Sequence, residues 1–233
     1  MFSFLSKKIT LRRQKIYNII FDFLFPVACV VCDRQWSYLC TKHKKYLQKY
    51  HSSCYVCHRP TRYWEVCYDH IDVLCDGVII GFYYTTIIKD MIHLIKYSYA
   101  YEIADFFAQQ LLYDIYTNPY LTTALENQKL LITYIPMHPQ KEHYMRWYNQ
   151  AEKLATYLAS LLDVPCVWLC EKIENTKTQS SLNRSERQKI TTAYQYTSTQ
   201  DISHYTTVLL VDDVCTTWAT LDACAKQIKI VHP

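Results

Sequence analysis

The stretch Thr207-Val208-Leu209-Leu210-Val211-Asp212-Asp213-Val214-Cys215-Thr216-Thr217-Trp218-Ala219-Thr220 constrains the fold most, because an unbroken apolar run passes directly into two carboxylates and then hydroxyls. Val208 to Val211 show no polar alternation, so the run reads as a central parallel strand covered on both faces. Ligands of such sheets gather at the carboxyl ends of the strands, where Asp212 and Asp213 stand. A helix predicted from Ala219 to Ile228 follows, and its first N–H groups and dipole favour an anion such as phosphate. Two acids beside a phosphate nest can accept hydrogen bonds from vicinal hydroxyls, which suits a phosphorylated sugar. The alternative, a buried strand and a capped helix merely flanked by acids, explains neither the adjacent Asp residues nor three Thr within five positions.

A chain of 233 residues, 50% of them apolar or aromatic, holds one α/β domain plus a small module. Its net charge of +4 allows acidic partners without demanding nucleic acid. Eleven Cys would suit a disulfide scaffold, but seven of them lie between Cys29 and Cys75 in paired spacings and no signal peptide precedes them. A reduced, cytoplasmic, partly metal-bound protein is expected. The apolar run from Ile16 to Val31 contains Asn18, Asp22 and Pro26, too short and too polar to span a bilayer, so no stable membrane anchor is expected. Residues 1–28, basic at Lys7, Lys8, Arg12, Arg13 and Lys15 and then apolar, predict one amphipathic helix packed on the next module.

From Cys29 the chain repeats itself: Cys29-x2-Cys32-x7-Cys40-x2-His43, then Cys54-x2-Cys57-x9-Cys67-x2-His70. Ligand pairs at this spacing suit tetrahedral Zn²⁺, because a tight knuckle turns both side chains toward one ion, and thiolate plus imidazole complete four-coordination. With no position left open the metal is structural. The spacing leaves open whether each repeat holds its own ion or the two interleave.

A boundary near residue 73 divides a module over 1–72 from a domain over 73–233. Gly77 to Tyr84 reads as a strand. Ile87, Met91, Leu94 and Ile95 recur at helical spacing, as do Phe106, Gln110, Leu111 and Ile115 before Asn118-Pro119. Strand Leu130 to Ile135, helix Asn149 to Leu162, strand Val164 to Leu169, a polar loop from Glu171 to Gln188, and strand Thr206 to Val211 complete an alternation that argues for a doubly wound, mostly parallel sheet. Pro136, Met137, His138 and Pro139 follow the Leu130 strand, so a second ligand loop shares the sheet edge with Asp212. Arg146 follows closely, suited to pairing phosphate oxygens. Thr176 to Arg187 is long, polar and basic, suited to a mobile lid.

The acidic strand end resembles the PRPP-binding signature of type I phosphoribosyltransferases. With Cys29-x2-Cys32, Leu39-Cys40, Cys54-x2-Cys57, Leu94-Ile95-Lys96-Tyr97, Ile135 to Pro139, Arg146-x-Tyr148-Asn149-Gln150-Ala151-Glu152 and Thr176-x2-Gln179-x2-Leu182-x4-Arg187, the chain resembles the ComF family. Those competence-associated proteins join an N-terminal zinc module to a type I phosphoribosyltransferase domain. The resemblance implies that Asp212 and Asp213 contact ribose hydroxyls and that Cys215, Thr216, Thr217, Trp218, Ala219 and Thr220 hold the 5-phosphate. It implies that Pro136, Met137, His138 and Arg146 lie near pyrophosphate bridged by Mg²⁺, and that Arg187 belongs to the mobile loop. PRPP is the implied ligand, with single-stranded DNA and a competence helicase as partners. The competing reading is a non-catalytic zinc adaptor that binds single-stranded DNA or a partner protein.

The chain departs from the family pattern at His43 and His70, often Cys there, and at Ile190, Trp147 and Trp218, where the family has Asn, Gly and Gly. Only Gly77 and Gly81 are glycine, where roughly 16 would be average. Some or all of Trp36, Trp64, Trp147, Trp168 and Trp218 are therefore expected to be glycine in the native protein, read as Trp through a codon decoded differently. Genuine Trp with a decayed sugar site is the alternative. Since Lys229 to Pro233 leave no room for the family's further strand, a truncated, poorly soluble chain is expected.

Overall fold

A computed structural model describes residues 27–98, 101–138, 149–174, 193–215 and 218–232. In chain order its elements are α1 (Thr41–Lys44), a 3-10 turn (Tyr68–His70), α2 (Thr86–Ser98), α3 (Tyr101–Thr117), α4 (Pro119–Glu126), β1 (Leu130–Tyr134), α5 (Gln150–Leu162), β2 (Cys170–Lys172), β3 (Tyr194–Tyr196), β4 (Thr207–Val211) and α6 (Ala219–Val231). The chain is mixed α/β, with a small parallel sheet and an N-terminal region built around Cys and His. Most of the N-terminal segment and the loop Thr176 to Arg187 lie outside the described residues. No helix among the described residues is long and apolar enough to cross a membrane.

β1 and β4 pair in parallel, in register from Leu130 opposite Thr207 to Tyr134 opposite Val211. Successive side chains of a strand point to opposite faces, and both faces here are covered. Leu130, Ile132 and Val211 pack with α3, α4 and α5, whereas Leu131 packs with Leu169, Tyr194 and the α6 residues Leu221, Cys224 and Ile228. A strand covered on both sides reads as a continuous apolar run, which is why neither strand alternates.

The innermost strand is β1, however, and not the Thr207 strand. Leu130 to Thr133 are at most 1% exposed, while most of β4 is half-buried. β1 has a backbone neighbour on each side: β4 on one, and on the other Pro165 and Val167, which exchange hydrogen bonds with Ile132. The strand expected at Val164 to Leu169 is thus only a single parallel bridge, Ile132 to Cys166. Pro165 has no N–H to extend the ladder. The regular strand comes next, where a polar loop was expected, as β2 paired antiparallel with β3.

Gly77 to Tyr84 is not a strand of the sheet. Its backbone bonds to the Cys/His region instead: Val78 N–H to Trp64 C=O at 3.0 Å, Tyr83 N–H to Gln48 C=O at 2.9 Å, and Tyr50 N–H to Gly81 C=O at 3.3 Å. A Cβ at Gly77 would collide with the Trp64 carbonyl, so only glycine permits this approach. α2, α3 and α5 form where periodicity predicts them. α4, not anticipated, begins at Asn118-Pro119, where the Asn118 side chain accepts from the N–H groups of Tyr120 and Leu121, and proline takes a first-turn position.

Candidate functional site

Each Cys/His repeat closes on itself. Cys29, Cys32, Cys40 and His43 form one group, and Cys54, Cys57, Cys67 and His70 the other, with all donor atoms of a group within 4.8 Å of one another. The local folds match. Asp33 N–H bonds to Cys29 C=O and His58 N–H to Cys54 C=O, at 2.9 and 2.8 Å, and Asp33 and His58 take left-handed conformations, φ 56° and 59°. Each knuckle thereby turns its two thiols to one side. His43 on α1 and His70 on the 3-10 turn then present Nδ1 to the thiols.

The distances suit zinc. Sγ to Sγ is 3.9 Å for Cys32 and Cys40 and 3.7 Å for Cys57 and Cys67, while Nδ1 lies 3.3 Å from Cys40 and 3.1 Å from Cys67. Zn–S bonds of about 2.3 Å set tetrahedral S···S edges of roughly 3.8 Å. Burial by itself raises the Cys29 thiol, but the backbone N–H groups of Cys40, Val31 and Cys32 and the His43 ring outweigh it and lower the thiol to about 6. Cys54 is lowered to about 6 in the same way, chiefly by hydrogen bonds from Cys67, Cys57 and Val56. Both thiols are therefore poised as thiolates, the form a metal takes. Two Cys3His groups able to hold structural zinc are the chemistry these residues offer.

Beside them lies a cleft of about 390 Å³. Its lining includes Asp212, Asp213, Cys215 and Trp218, from the carboxyl end of β4 and the start of α6, together with Tyr50 and His58 from the Cys/His region. Asp212 and Asp213 are half-buried, and an Asp212 carboxylate oxygen accepts from the Asp213 N–H at 2.8 Å. Pro136, Met137 and His138 follow β1 and so leave the same sheet edge, where Ile135 N–H bonds to Val211 C=O at 2.9 Å, but they are not part of the cleft wall. Asn149 ties the start of α5 to that edge by donating to Ile135 C=O at 2.8 Å, and Gln150 lines the cleft. Arg146, Arg187, Thr216 and Thr217 lie outside the described residues.

The Cys75 thiol is half-buried and the Cys215 thiol reaches the surface, but desolvation by their surroundings, then Asp222 for the first and Asp212 for the second, pushes each up to about 12, so neither is activated as a thiolate. Thr220 is 7% exposed and its hydroxyl engages Tyr194, so its side chain belongs to the core. Sequence reasoning missed the lining supplied by Tyr50, His58 and residues 78–84, because the β-rich run at 78–84 reads as a strand.

The tryptophans divide. Trp36 and Trp64 hold φ of 74° and 64°, a region that bulky side chains rarely enter and glycine enters freely. Trp168 is absent from that region, and Trp218 is right-handed helical at φ −69°, so position 218 does not need the positive φ that a glycine loop would supply. Trp147 lies outside the described residues.

No family model matches the chain, and no solved structure matches it significantly. Over 92 residues the chain is 33% identical to Competence protein F of Haemophilus influenzae, a match that covers 37% of this chain and 40% of that protein's length. Over that part it is a homologue of Competence protein F, and its two Cys3His groups fit the zinc module of the ComF family that its motifs resemble.

Proposed function

We propose that the cleft at the end of β4 binds PRPP and that the chain is a phosphoribosyltransferase-like protein of the competence machinery. The observation that carries this reading is the placement of Asp212 and Asp213 at the carboxyl end of one parallel strand, between a neighbouring strand-end loop and a helix N-terminus. In this reading the sheet is the edge of a doubly wound phosphoribosyltransferase fold over residues 73–233, and the module is the part before it. The two carboxylates accept from the ribose hydroxyls. The segment from Cys215 to Thr220 holds the 5-phosphate, with Thr220 acting through its N–H because its hydroxyl is turned to the core. Pro136, Met137, His138 and Arg146 lie near pyrophosphate, Mg²⁺ offsets its charge, and Arg187 closes the loop. The partial likeness to Competence protein F supports the competence role; single-stranded DNA and a competence helicase, met in the cytoplasm, are the partners that this reading implies.

Calorimetric titration with PRPP and Mg²⁺ tests the reading. Hydrogen bonds to charged groups contribute about 1.5–3 kcal/mol each, so Asp212→Ala with Asp213→Ala should weaken binding by on the order of 100-fold or more. An absent heat in the wild type, or undiminished binding in the double variant, overturns it. One observation favours the zinc-adaptor reading: the Trp218 indole stands at the start of α6, where a phosphate needs close backbone approach. If PRPP does not bind, single-stranded DNA affinity that falls steeply with salt is the expected result.

A further inference from the structure

The two Cys3His repeats differ at the residue after their first cysteine: Val30 in the first, Tyr55 in the second. Val30 packs against the cluster formed by Met91, Ile95, Ile103 and Ala104, anchoring the first group to α2 and α3. Tyr55 faces another way. It is 2% exposed, its hydroxyl donates to the Asp222 carboxylate at 3.3 Å, and its ring meets the Trp218 indole edge-on with centroids 4.7 Å apart. Trp218 is the N-cap of α6, and Asp222 N–H closes the first helical hydrogen bond onto Trp218 C=O at 2.8 Å. One side chain therefore grips both ends of the first turn of α6. Its own backbone is held between two ligands, with Cys54 N–H bonded to Arg59 C=O at 2.9 Å and His58 N–H to Cys54 C=O at 2.8 Å.

We propose that Tyr55 is a positioning residue through which the second Cys3His group, when it holds metal, sets the first turn of α6 at the edge of the acidic cleft, while the first group serves only the α2 and α3 packing. A buried aromatic side chain held by a metal knuckle has little freedom to drift, so the turn inherits the rigidity of the knuckle. Loss of metal from the second group releases Tyr55, and the turn with it. Coupling of this kind is reciprocal: a ligand that settles on the ordered turn tightens metal binding at the second group and not at the first.

Hydrogen exchange on the full zinc-loaded chain tests this at the amides of Asp222, Ala223 and Cys224. Tyr55→Val, which installs the residue of the first repeat, and Cys57→Ser should each speed exchange there about ten-fold, whereas Cys32→Ser should leave it within roughly two-fold. Unchanged exchange in Tyr55→Val, or equal effects of Cys32→Ser and Cys57→Ser, overturns the proposal. Should Tyr55→Val lose zinc by elemental analysis, Tyr55→Phe with both metals retained decides: faster exchange supports the hydroxyl's part in the grip, and unchanged exchange overturns it. Only the ligand arm rests on the PRPP reading. PRPP should raise the chelator concentration needed to remove half of the second zinc at equilibrium in the wild type and not in Tyr55→Val. If wild-type chain binds no PRPP, that reading fails while the exchange comparison still stands or falls by itself.

Discussion

At the scale of single residues, the backbone of Trp36 is the sharpest anomaly. A left-handed conformation costs an L-residue roughly 1–2 kcal/mol, and the greater unfolded-state freedom of glycine offsets about 0.5–1 kcal/mol of the relief. With its indole 63% exposed there is little packing to lose, so Trp36→Gly should stabilise the protein by about 0.5–1 kcal/mol in denaturant unfolding. At Trp64 the sign reverses: the side chain is 5% exposed and stacks on Tyr50, and removing a buried Trp costs about 3–5 kcal/mol. Peptide masses from the natural source across residues 29–40 show directly whether position 36 carries Trp or Gly. Asp222 allows a second prediction. Burial raises its carboxyl above the ordinary 3.8, although the Tyr55 hydrogen bond pulls the other way. A raised carboxyl favours folding while protonated, and that contribution is lost as pH climbs from the unfolded value through the folded one. Asp222→Asn keeps an acceptor for Tyr55 and removes the buried charge. Its melting temperature should exceed that of the wild type at pH 7, and the gain should vanish below pH 3.8.

Among the elements, β1 carries the core. Thr133 sits in it at 1% exposure, and its hydroxyl has no hydrogen-bond partner among the described residues. A buried polar group left unsatisfied costs about 1–3 kcal/mol, while Val matches the β-branched shape of Thr. Thr133→Val should therefore raise unfolding stability by about 1 kcal/mol without altering the denaturant slope; a loss would mean that the hydroxyl is satisfied in solution. The same strand explains the order of the site. Parallel pairing in register brings the ends of β1 and β4 level, so loops far apart in sequence leave from one edge.

Across the whole molecule, the Cys/His region is no independent appendage. Cys29, Leu39 and Cys40 share a buried cluster with α2 and α3, and Tyr55 reaches α6. Two zinc ions per chain are expected by elemental analysis after reducing purification, one for each group. Chelation should unfold the region around residues 27–84, where little apolar core exists to replace the metal, and should also perturb near-ultraviolet circular dichroism from aromatics beyond it. One ion, or a chelated chain that melts as before, would contradict this.

Much of this protein is local chemistry and so was legible in the sequence. Ligand spacing specifies two metal knuckles, since Cys-x2-Cys can place both thiols on one ion whatever surrounds it. Apolar runs and helical periodicity locate β1, β4, α2, α3, α5 and α6, because burial pattern is written residue by residue. The Asn118-Pro119 pair also held a readable start signal for α4, and Tyr194-Gln195-Tyr196 a short alternation for β3. Other features depended on partners distant in the chain. Each repeat closing on itself, β1 rather than β4 lying innermost, and Gly77 to Tyr84 bonding to the Cys/His region instead of the sheet are all choices among neighbours. A strand-forming run carries no mark of which backbone will satisfy its N–H and C=O groups. That selection is made by packing, here by Pro165 withholding a donor beside β1 and by Gly77 alone fitting under the Trp64 carbonyl.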